Sequence, residues 1–434
     1  MCGIFGWVRF GDGLAAGEIE CARAATKTMV HRGPDGFGEW TDRHVYLGHQ
    51  RLSILDLTDA AAQPFLGGDR YVLAFNGEIY NYIELRQELE REGRTFHTDS
   101  DTEVLLHVLA AWGVNGLRRL DGMFAGALHD RETGEHLLFR DPLGQKPLYV
   151  HIYDGGVVFG SELRSLLSLP QFRWQLDRQA FRQFLAHSYY PRRSTPIAGV
   201  EKLLPGCLLR IGRQTAHHER WWESTPGADP LDLSFAEARS EFEKLFDRSC
   251  RISMRSDVPV GVFLSGGIDS TLVLDSCHDA APAVQAFSVS MAEADYDESA
   301  KAAVAAAQIG VAARSVLLDE GALHASFTEL MEVLDEPHGD PGYVNTYFLA
   351  QACRPHITVA LAGDGADELF AGYAPFAGVA AASVLRHLPA PVAAAARAAA
   401  GFLPATDGYL GLQFKALAYL QGFPSHPPSV ETLR

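Results

Sequence analysis

The sequence predicts two domains of different class: a sheet-rich, layered α+β domain over residues 2–210 and an α/β domain with a parallel sheet over 235–434, joined by a linker at 211–234. Three observations predict this. A chain of 434 residues exceeds what one hydrophobic core usually serves. Its first half alternates short apolar runs with turns, and its second half spaces β-branched runs with helical stretches.

In the first half, VYLGH, RLSILDL and YVLAFNG read as strands, followed by a charged helix in NYIELRQELEREG. HLLFRDPLGQKPLYVHI and GGVVFGSEL extend the sheet-rich texture, so helices are expected to pack on layered sheets. After Trp221 the texture changes: ESTPGADPLDLS has Pro, Gly and Ser without periodicity, which places the core of the linker at 222–234. SFAEARSEFEKLFDRSCRI is an amphipathic helix. The runs VPVGVFLS, VQAFSVS and HITVALAG then read as buried parallel strands. PAPVAAAARAAAGF reads as a helix opened by Pro391, and no internal repeat is visible.

Composition narrows the partners. Lys and Arg total 37 against 54 Asp and Glu, and the formal charge of -17 repels nucleic acid and anionic membranes. Six scattered cysteines, Cys2, Cys21, Cys207, Cys250, Cys277 and Cys353, have no metal-ligand spacing and suit a reduced, cytoplasmic chain. The start lacks a basic n-region, so no signal peptide is expected. The apolar stretch GVAAASVL is too short to span a bilayer.

In VPVGVFLSGGIDSTLVL an apolar strand runs through Ser265, Gly266, Gly267, Ile268, Asp269 and Ser270 into a helix. Two glycines expose successive N–H groups, two serines add hydroxyls, and the helix start adds partial positive charge, which together make an anion site. Asp269 beside a phosphate implies a bridging Mg²⁺. No lysine follows the glycines, so this is not the common G-x-x-x-x-G-K-[ST] loop, and a tight turn with a serine cap stays open. LAGDGADELFAGY, Leu361 to Tyr373, again follows an apolar strand with glycines and the acids Asp364, Asp367 and Glu368. Two such loops at the carboxyl ends of strands of one sheet face one crevice, which favours nucleotide binding.

These two stretches resemble the ATP pyrophosphatase (PP-loop, adenine nucleotide α-hydrolase-like) family. The resemblance implies ATP against Leu264, Ser265, Gly266, Gly267, Asp269, Ser270, Val289, Ala362 and Gly363, with Mg²⁺ on Asp269 and Asp367. It also implies activation of a carboxylate as acyl-AMP with release of pyrophosphate. Asp364 occupies a position where the family has an acid, a candidate to position substrate or accept a proton. Ala362 stands where many members have serine, which removes one hydroxyl contact.

Such a reaction needs a nitrogen donor, which gives meaning to the opening MCGIFGW. If Met1 is removed, Cys2 carries both a thiol and a free α-amine, whose ordinary pKa of about 7.7–8.0 suits a base for that thiol. Taken alone, a buried inert cysteine is the plainer alternative. The succession MCGIFGW, HRGPDGFG, GHQRLSILDL, FNGEIYN, SDTEV, GMFAGALHD, RDPLGQKPLY and FGSEL, however, resembles class II glutamine amidotransferase domains, which are αββα N-terminal nucleophile (Ntn) hydrolases, over about residues 2–210. With the PP-loop half, the chain resembles the glutamine-hydrolysing asparagine synthetase family. A glucosamine-phosphate synthetase or a phosphoribosyl amidotransferase shares the first domain, but SGGIDS fits neither second domain.

The resemblance implies that Cys2 attacks the side-chain amide of glutamine, with the Asn76 side chain and the Gly77 N–H as oxyanion donors. Arg51, Leu52, Ser53 and Ile54, with Asn76 and Gly77, would bind glutamine, Arg51 holding its carboxylate, and Glu78 and Asp101 would meet its ammonium. Outside this context Arg51 and Asp101 would be read as solvated surface charges. The acceptor expected first is aspartate, which would yield asparagine. The alternatives are a sugar acid, a peptide or an antibiotic-precursor carboxylate, and, from another class, a noncatalytic binding or regulatory relative. DEPHGDPGYVNTYF, Asp335 to Phe348, is expected to border the acceptor. Family members usually continue well past SVETLR, so the synthetase half is expected to be incomplete; a homodimer stays open.

Overall fold

The computed structural model describes residues 1–224, 231–293, 297–373, 376 and 390–403. GVAAASVL, SVETLR and residues 225–230 of the expected linker lie outside the described residues. The chain divides into two compact units. The first holds Met1–Gly261, Ala280–Pro282 and Glu320–Ala360, and the second holds Val262–Asp279, Ala283–Asp319 and the chain from Leu361. The boundaries expected from sequence are contiguous, whereas these units interleave.

In the first unit the strands are β1 (Gly3–Arg9), β2 (Gly36–Thr41), β3 (Val45–Arg51), β4 (Phe65–Gly67), β5 (Tyr71–Ile79), β6 (Gly122–Asp130), β7 (Glu135–Arg140), β8 (Tyr149–Tyr153), β9 (Gly156–Gly160), β10 (Val200–Lys202), β11 (Cys207–Ile211) and β12 (Ala216–Arg220). They form two six-stranded sheets, ordered β10-β8-β9-β1-β3-β2 and β12-β11-β7-β6-β5-β4. The helices α1 (Ala16–Lys27), α2 (Tyr82–Arg91), α3 (Asp101–Trp112) and α4 (Leu163–Leu167) lie on the outer faces.

Strand alternation builds the layers. Along β1, Ile4 and Val8 enter one core with Val72 and Ala74 of β5, while Phe5 and Trp7 enter another with Ala22 and Ala25 of α1 and Leu163 of α4. Along β5, Leu73 and Phe75 pack instead with Leu85 of α2 and Val104 of α3. The result is the αββα order of helix, sheet, sheet, helix, each fully buried apolar side chain contributing about 1.5–3 kcal/mol. This alternation also fixes the site: Cys2 shares the parity of Ile4, and Asn76 and Glu78 share that of Ala74, so all three aim into the gap between the sheets.

Two local expectations change. RLSILDL was expected as a strand, yet β3 ends at Arg51; Leu52 turns its backbone toward Cys2, and Asp56 sits at φ +49°, which no strand accommodates. The expected linker begins too early: Ala216–Arg220 pairs antiparallel with Cys207–Ile211, so the chain to Arg220 belongs to the second sheet.

Beyond α5 (Arg178–His187), the helix expected in SFAEARSEFEKLFDRSCRI is α6 (Phe235–Ser253), capped by Ser234 and Glu237. A four-stranded sheet follows, with β13 (Val260–Phe263), β14 (Gln285–Met291), β15 (Ala313–Leu318) and β16 (Val359–Leu361) in the order β15-β14-β13-β16. β14 and β15 pair parallel, as the crossover helix α8 (Ser299–Ile309) between them requires, and α7 (Ile268–Ala280) connects β13 to β14. The first unit also contains α9 (Glu320–Val333) and α10 (Gly342–Cys353); α11 (Ala366–Phe370) follows β16, and the Ala-rich run is α12 (Ala390–Ala400). Among the described residues no helix is long and apolar enough to cross a membrane. Cys2, Cys21, Cys207 and Cys353 are free thiols.

Candidate active site

A cavity of about 300 Å³ in the first unit is walled by Cys2, Arg51, Asn76, Glu78, Asp101 and Lys146, among others. The turn after β3 clasps the thiol: Leu52 N donates to Cys2 Sγ at 3.4 Å, and the Sγ–H reaches Leu52 O at 3.6 Å. Burial raises the thiol above its ordinary pKa, with this backbone contact opposing the rise. Arg32 Nε donates to the carbonyl of Cys2 at 2.9 Å and so fixes its backbone.

Asn76 is 0% exposed, and neither its Oδ1 nor its Nδ2 has a hydrogen-bond partner. An unsatisfied buried amide costs about 1–3 kcal/mol, so this group is held ready for something that enters the cavity. Gly77 follows on β5, where a Cβ would lie 2.2 Å from Met123 O of the neighbouring β6; only glycine lets the two strands approach so closely.

Two acids complete this wall. Glu78 is 6% exposed with Oε1 unpartnered, and burial, then Asp101, push its carboxyl up to about 8. Asp101 opens α3 and accepts Ile79 N at 2.9 Å; burial raises it to about 6 against the bonds that favour its charge. An incoming ammonium would restore the charge of Glu78 and meet the carboxylate of Asp101. Arg51 reaches the cavity while its guanidinium donates to the carbonyls of Thr58, at 2.8 Å, and Asp56, so its remaining N–H groups are what a carboxylate could use. Leu52 and Ile54 also line the cavity; Ser53 does not, its N–H donating to Asp35 at 2.8 Å.

In the second unit the loop after β13 is built as an open cradle. Leu264 N donates to Phe287 O at 2.7 Å, anchoring the strand end on β14, where Val289 is half-buried. Ser270 is buried at the start of α7, with Oγ 3.0 Å from Ser265 Oγ. Gly266 has φ +78°, and a Cβ there would lie 2.6 Å from Ala302 N of α8. The loop after β16 comes alongside: a Cβ on Gly363 would sit 2.8 Å from Ser270 N and 3.0 Å from Asp269 Cβ. Ala362 and Asp364 are exposed, and Asp269 and Asp367 are half-buried. An open groove of about 630 Å³ between α7 and α8 includes only Gly266 and Gly267 of this set. Among the described residues no three His, Cys, Asp or Glu side chains cluster as metal ligands.

The glutamine amidotransferase domain model matches residues 1–222, and the asparagine synthase model matches residues 241–420. The chain is 37% identical over 379 residues to asparagine synthetase [glutamine-hydrolyzing] 1 of Bacillus subtilis, a match spanning 86% of this chain and 59% of that protein. It is 36% identical over 413 residues to a putative asparagine synthetase [glutamine-hydrolyzing] of Mycobacterium tuberculosis, covering 90% of this chain and 63% of the relative. A third relative, putative asparagine synthetase [glutamine-hydrolyzing] 2 of Methanocaldococcus jannaschii, is 30% identical over 398 residues, with 86% of this chain and 76% of that protein covered. The chain belongs to the glutamine-hydrolysing asparagine synthetase family.

In this family member two side chains at the first site were not singled out from sequence, although both lie in quoted motifs. Arg32, in HRGPDGFG, bonds Cys2 across 30 positions and pairs with Glu162 at 3.1 Å. Lys146, in RDPLGQKPLY, is 4% exposed with Nζ 3.0 Å from Met1 Sδ. Their contacts are too distant in sequence for spacing to signal them.

Proposed function

We propose that the chain is a glutamine-dependent amidotransferase of the asparagine synthetase type. The supporting observation is the buried, unpartnered Asn76 amide in the same cavity as Cys2, with two acids raised by burial beside it. Removal of Met1 frees the Cys2 amine, which takes the thiol proton as Sγ attacks the carboxamide carbon of glutamine. Asn76 Nδ2 and Gly77 N–H stabilise the oxyanion, the Cys2 ammonium returns its proton to the leaving nitrogen as the C–N bond breaks and ammonia departs, and water then resolves the thioester to glutamate and the free thiol. Glu78 and Asp101 receive the substrate ammonium, and Arg51 with the turn at Leu52, Ser53 and Ile54 receives the carboxylate.

In the second unit, ATP would lie against Leu264, Ser265, Gly266, Gly267, Asp269, Ser270, Val289, Ala362 and Gly363. Two half-buried carboxylates, Asp269 and Asp367, beside a cradle that a Cβ would fill suit Mg²⁺, which takes one or two carboxylates together with phosphate oxygens and water. The bound ion would neutralise phosphate charge during adenylation of the acceptor; Asp364, exposed beside Gly363, would position that acceptor or take the amine's proton. The acceptor is aspartate and the product asparagine. The decisive experiment measures glutamine-dependent pyrophosphate release with aspartate, sugar acids and peptide carboxylates in parallel. Cys2→Ala should abolish glutamine use and keep the ammonia-driven reaction; loss of both alike, or release with no acid tested, overturns the reading.

A further inference from the structure

The motif RDPLGQKPLY has no role in the reaction described above, and the loop it forms is built around one lysine. Asp141, 1% exposed, accepts the N–H groups of Leu143, Gln145 and Lys146, each at 3.0 Å. From the other side Arg140 donates to the carbonyls of Gly144, Lys146 and Leu203, each at 2.6 Å. A loop whose polar backbone groups are satisfied from both sides is rigid, and it directs the Lys146 side chain into the cavity of Cys2. The 3.0 Å contact of Nζ with Met1 Sδ gives this buried ammonium only a weak acceptor. Once Met1 is cleaved that partner is gone, and the ammonium faces the end of the cavity where Cys2 presents its new amine and its thiol.

We propose that Lys146 is a positioning residue for glutamine hydrolysis, its fixed ammonium holding the Cys2 amine neutral and favouring the thiolate. The proton moves from Sγ to the α-nitrogen of Cys2, and Lys146 keeps its own. The assignment rests on Cys2 being the nucleophile. The electrostatics agree: burial lowers Lys146 to about 8, with Arg32 adding to the fall and Glu78 and Cys2 opposing it. In the chain that still carries Met1, burial holds the Met1 amine down at about 5, with Arg32, Lys146 and Arg354 adding to the effect. Of the other groups facing this point, Arg32 is engaged by the Cys2 carbonyl and Glu162, and Arg51 by the carbonyls at 56 and 58. Asp101 and Asp141 are tied to backbone N–H groups, and Glu78 awaits the substrate ammonium.

The test uses the full chain matured to Cys2, with Lys146→Met and Lys146→Arg. The rate of Cys2 alkylation by iodoacetamide, read on the N-terminal peptide by mass spectrometry across pH, needs no glutamine; glutaminase kcat/KM across pH is its companion. Lys146→Met should move the acid limb of both profiles up by about one pH unit, and Lys146→Arg should restore it. Methionine in place of a buried charge should leave the thermal midpoint unchanged or higher. Unchanged limbs in Lys146→Met, or a loss of activity that is equal at every pH and follows a lowered midpoint, overturn the proposal. Glutamine hydrolysis persisting in Cys2→Ala would instead overturn the nucleophile assignment on which it rests.

Discussion

Arg32 Nε donates to the carbonyl oxygen of Cys2 at 2.9 Å, and the same guanidinium pairs with Glu162 at 3.1 Å. Both charged side chains are about nine-tenths buried, so the pair is a fixed strut under the nucleophile. Arg32→Met should lower glutaminase kcat by about 10²-fold, the loss expected when a reacting atom shifts by about 1 Å, with a smaller change in KM. Steady-state glutaminase kinetics check this; a raised KM at unchanged kcat would mean that Arg32 serves substrate binding instead.

The unpartnered amide of Asn76 makes a second, opposing pair of expectations. Asn76→Ala should cost about 10²–10³-fold in glutaminase kcat, the usual effect of one lost oxyanion donor. It also removes a buried polar group that pays about 1–3 kcal/mol for having no partner, so the thermal midpoint should not fall. Activity and melting measured on one preparation decide it: a large drop in midpoint would make Asn76 a structural residue.

The residues gathered at this cavity were legible in the sequence, because Cys2, Asn76, Gly77, Glu78 and Asp101 sit in motifs that resemble those of class II glutamine amidotransferase domains. Period-two alternation then carried Cys2, Asn76 and Glu78 to one gap. What stayed hidden depends on contacts distant in sequence. Lys146 meets Met1 across 145 positions, and Arg51 turns part of its guanidinium to the carbonyls at 56 and 58. The hairpin of β11 and β12 was hidden for another reason: AHHER has little of the apolar alternation that marks a half-buried strand, and pairing with Cys207–Ile211 alone defines it. Unit boundaries were beyond reach as well, since Glu320–Ala360 returns to the first unit after the chain has passed through the second at Ala283–Asp319.

Glu78 gives a pH signature with a definite sign. Its carboxyl is raised from 4.5 to about 8, so folding favours the protonated form. That stability is fully present below pH 4.5 and is lost as pH rises toward about 8, where the folded state must ionise a buried acid. Glu78→Gln should therefore melt at the wild-type temperature near pH 4.5 and progressively above it as pH approaches 8. Glutamine, by bringing an ammonium, should expel a proton at neutral pH, a release that calorimetry in buffers of different ionisation enthalpy can count. A pH-independent gap between the two melting curves would remove the raised carboxyl from the account.

Gly266 offers the sharpest probe of the second unit. Its φ of +78° already disfavours any other residue, and an added Cβ would lie 2.6 Å from Ala302 N and 2.8 Å from the Lys301 carbonyl carbon. Backbone atoms at the first turn of α8 cannot yield as a side-chain tip can, so Gly266→Ala must move the loop that carries Ser265, Asp269 and Ser270. Pyrophosphate release should fall at least about 10²-fold, because phosphate positioning depends on this backbone. Glutaminase turnover should remain, since the cavity around Cys2 is lined by other residues. Asp269→Asn should give the same separation of activities without backbone strain, and its pyrophosphate release measured against Mg²⁺ concentration distinguishes a lost metal ligand from a displaced loop. Undiminished release in both variants would detach SGGIDS from the nucleotide.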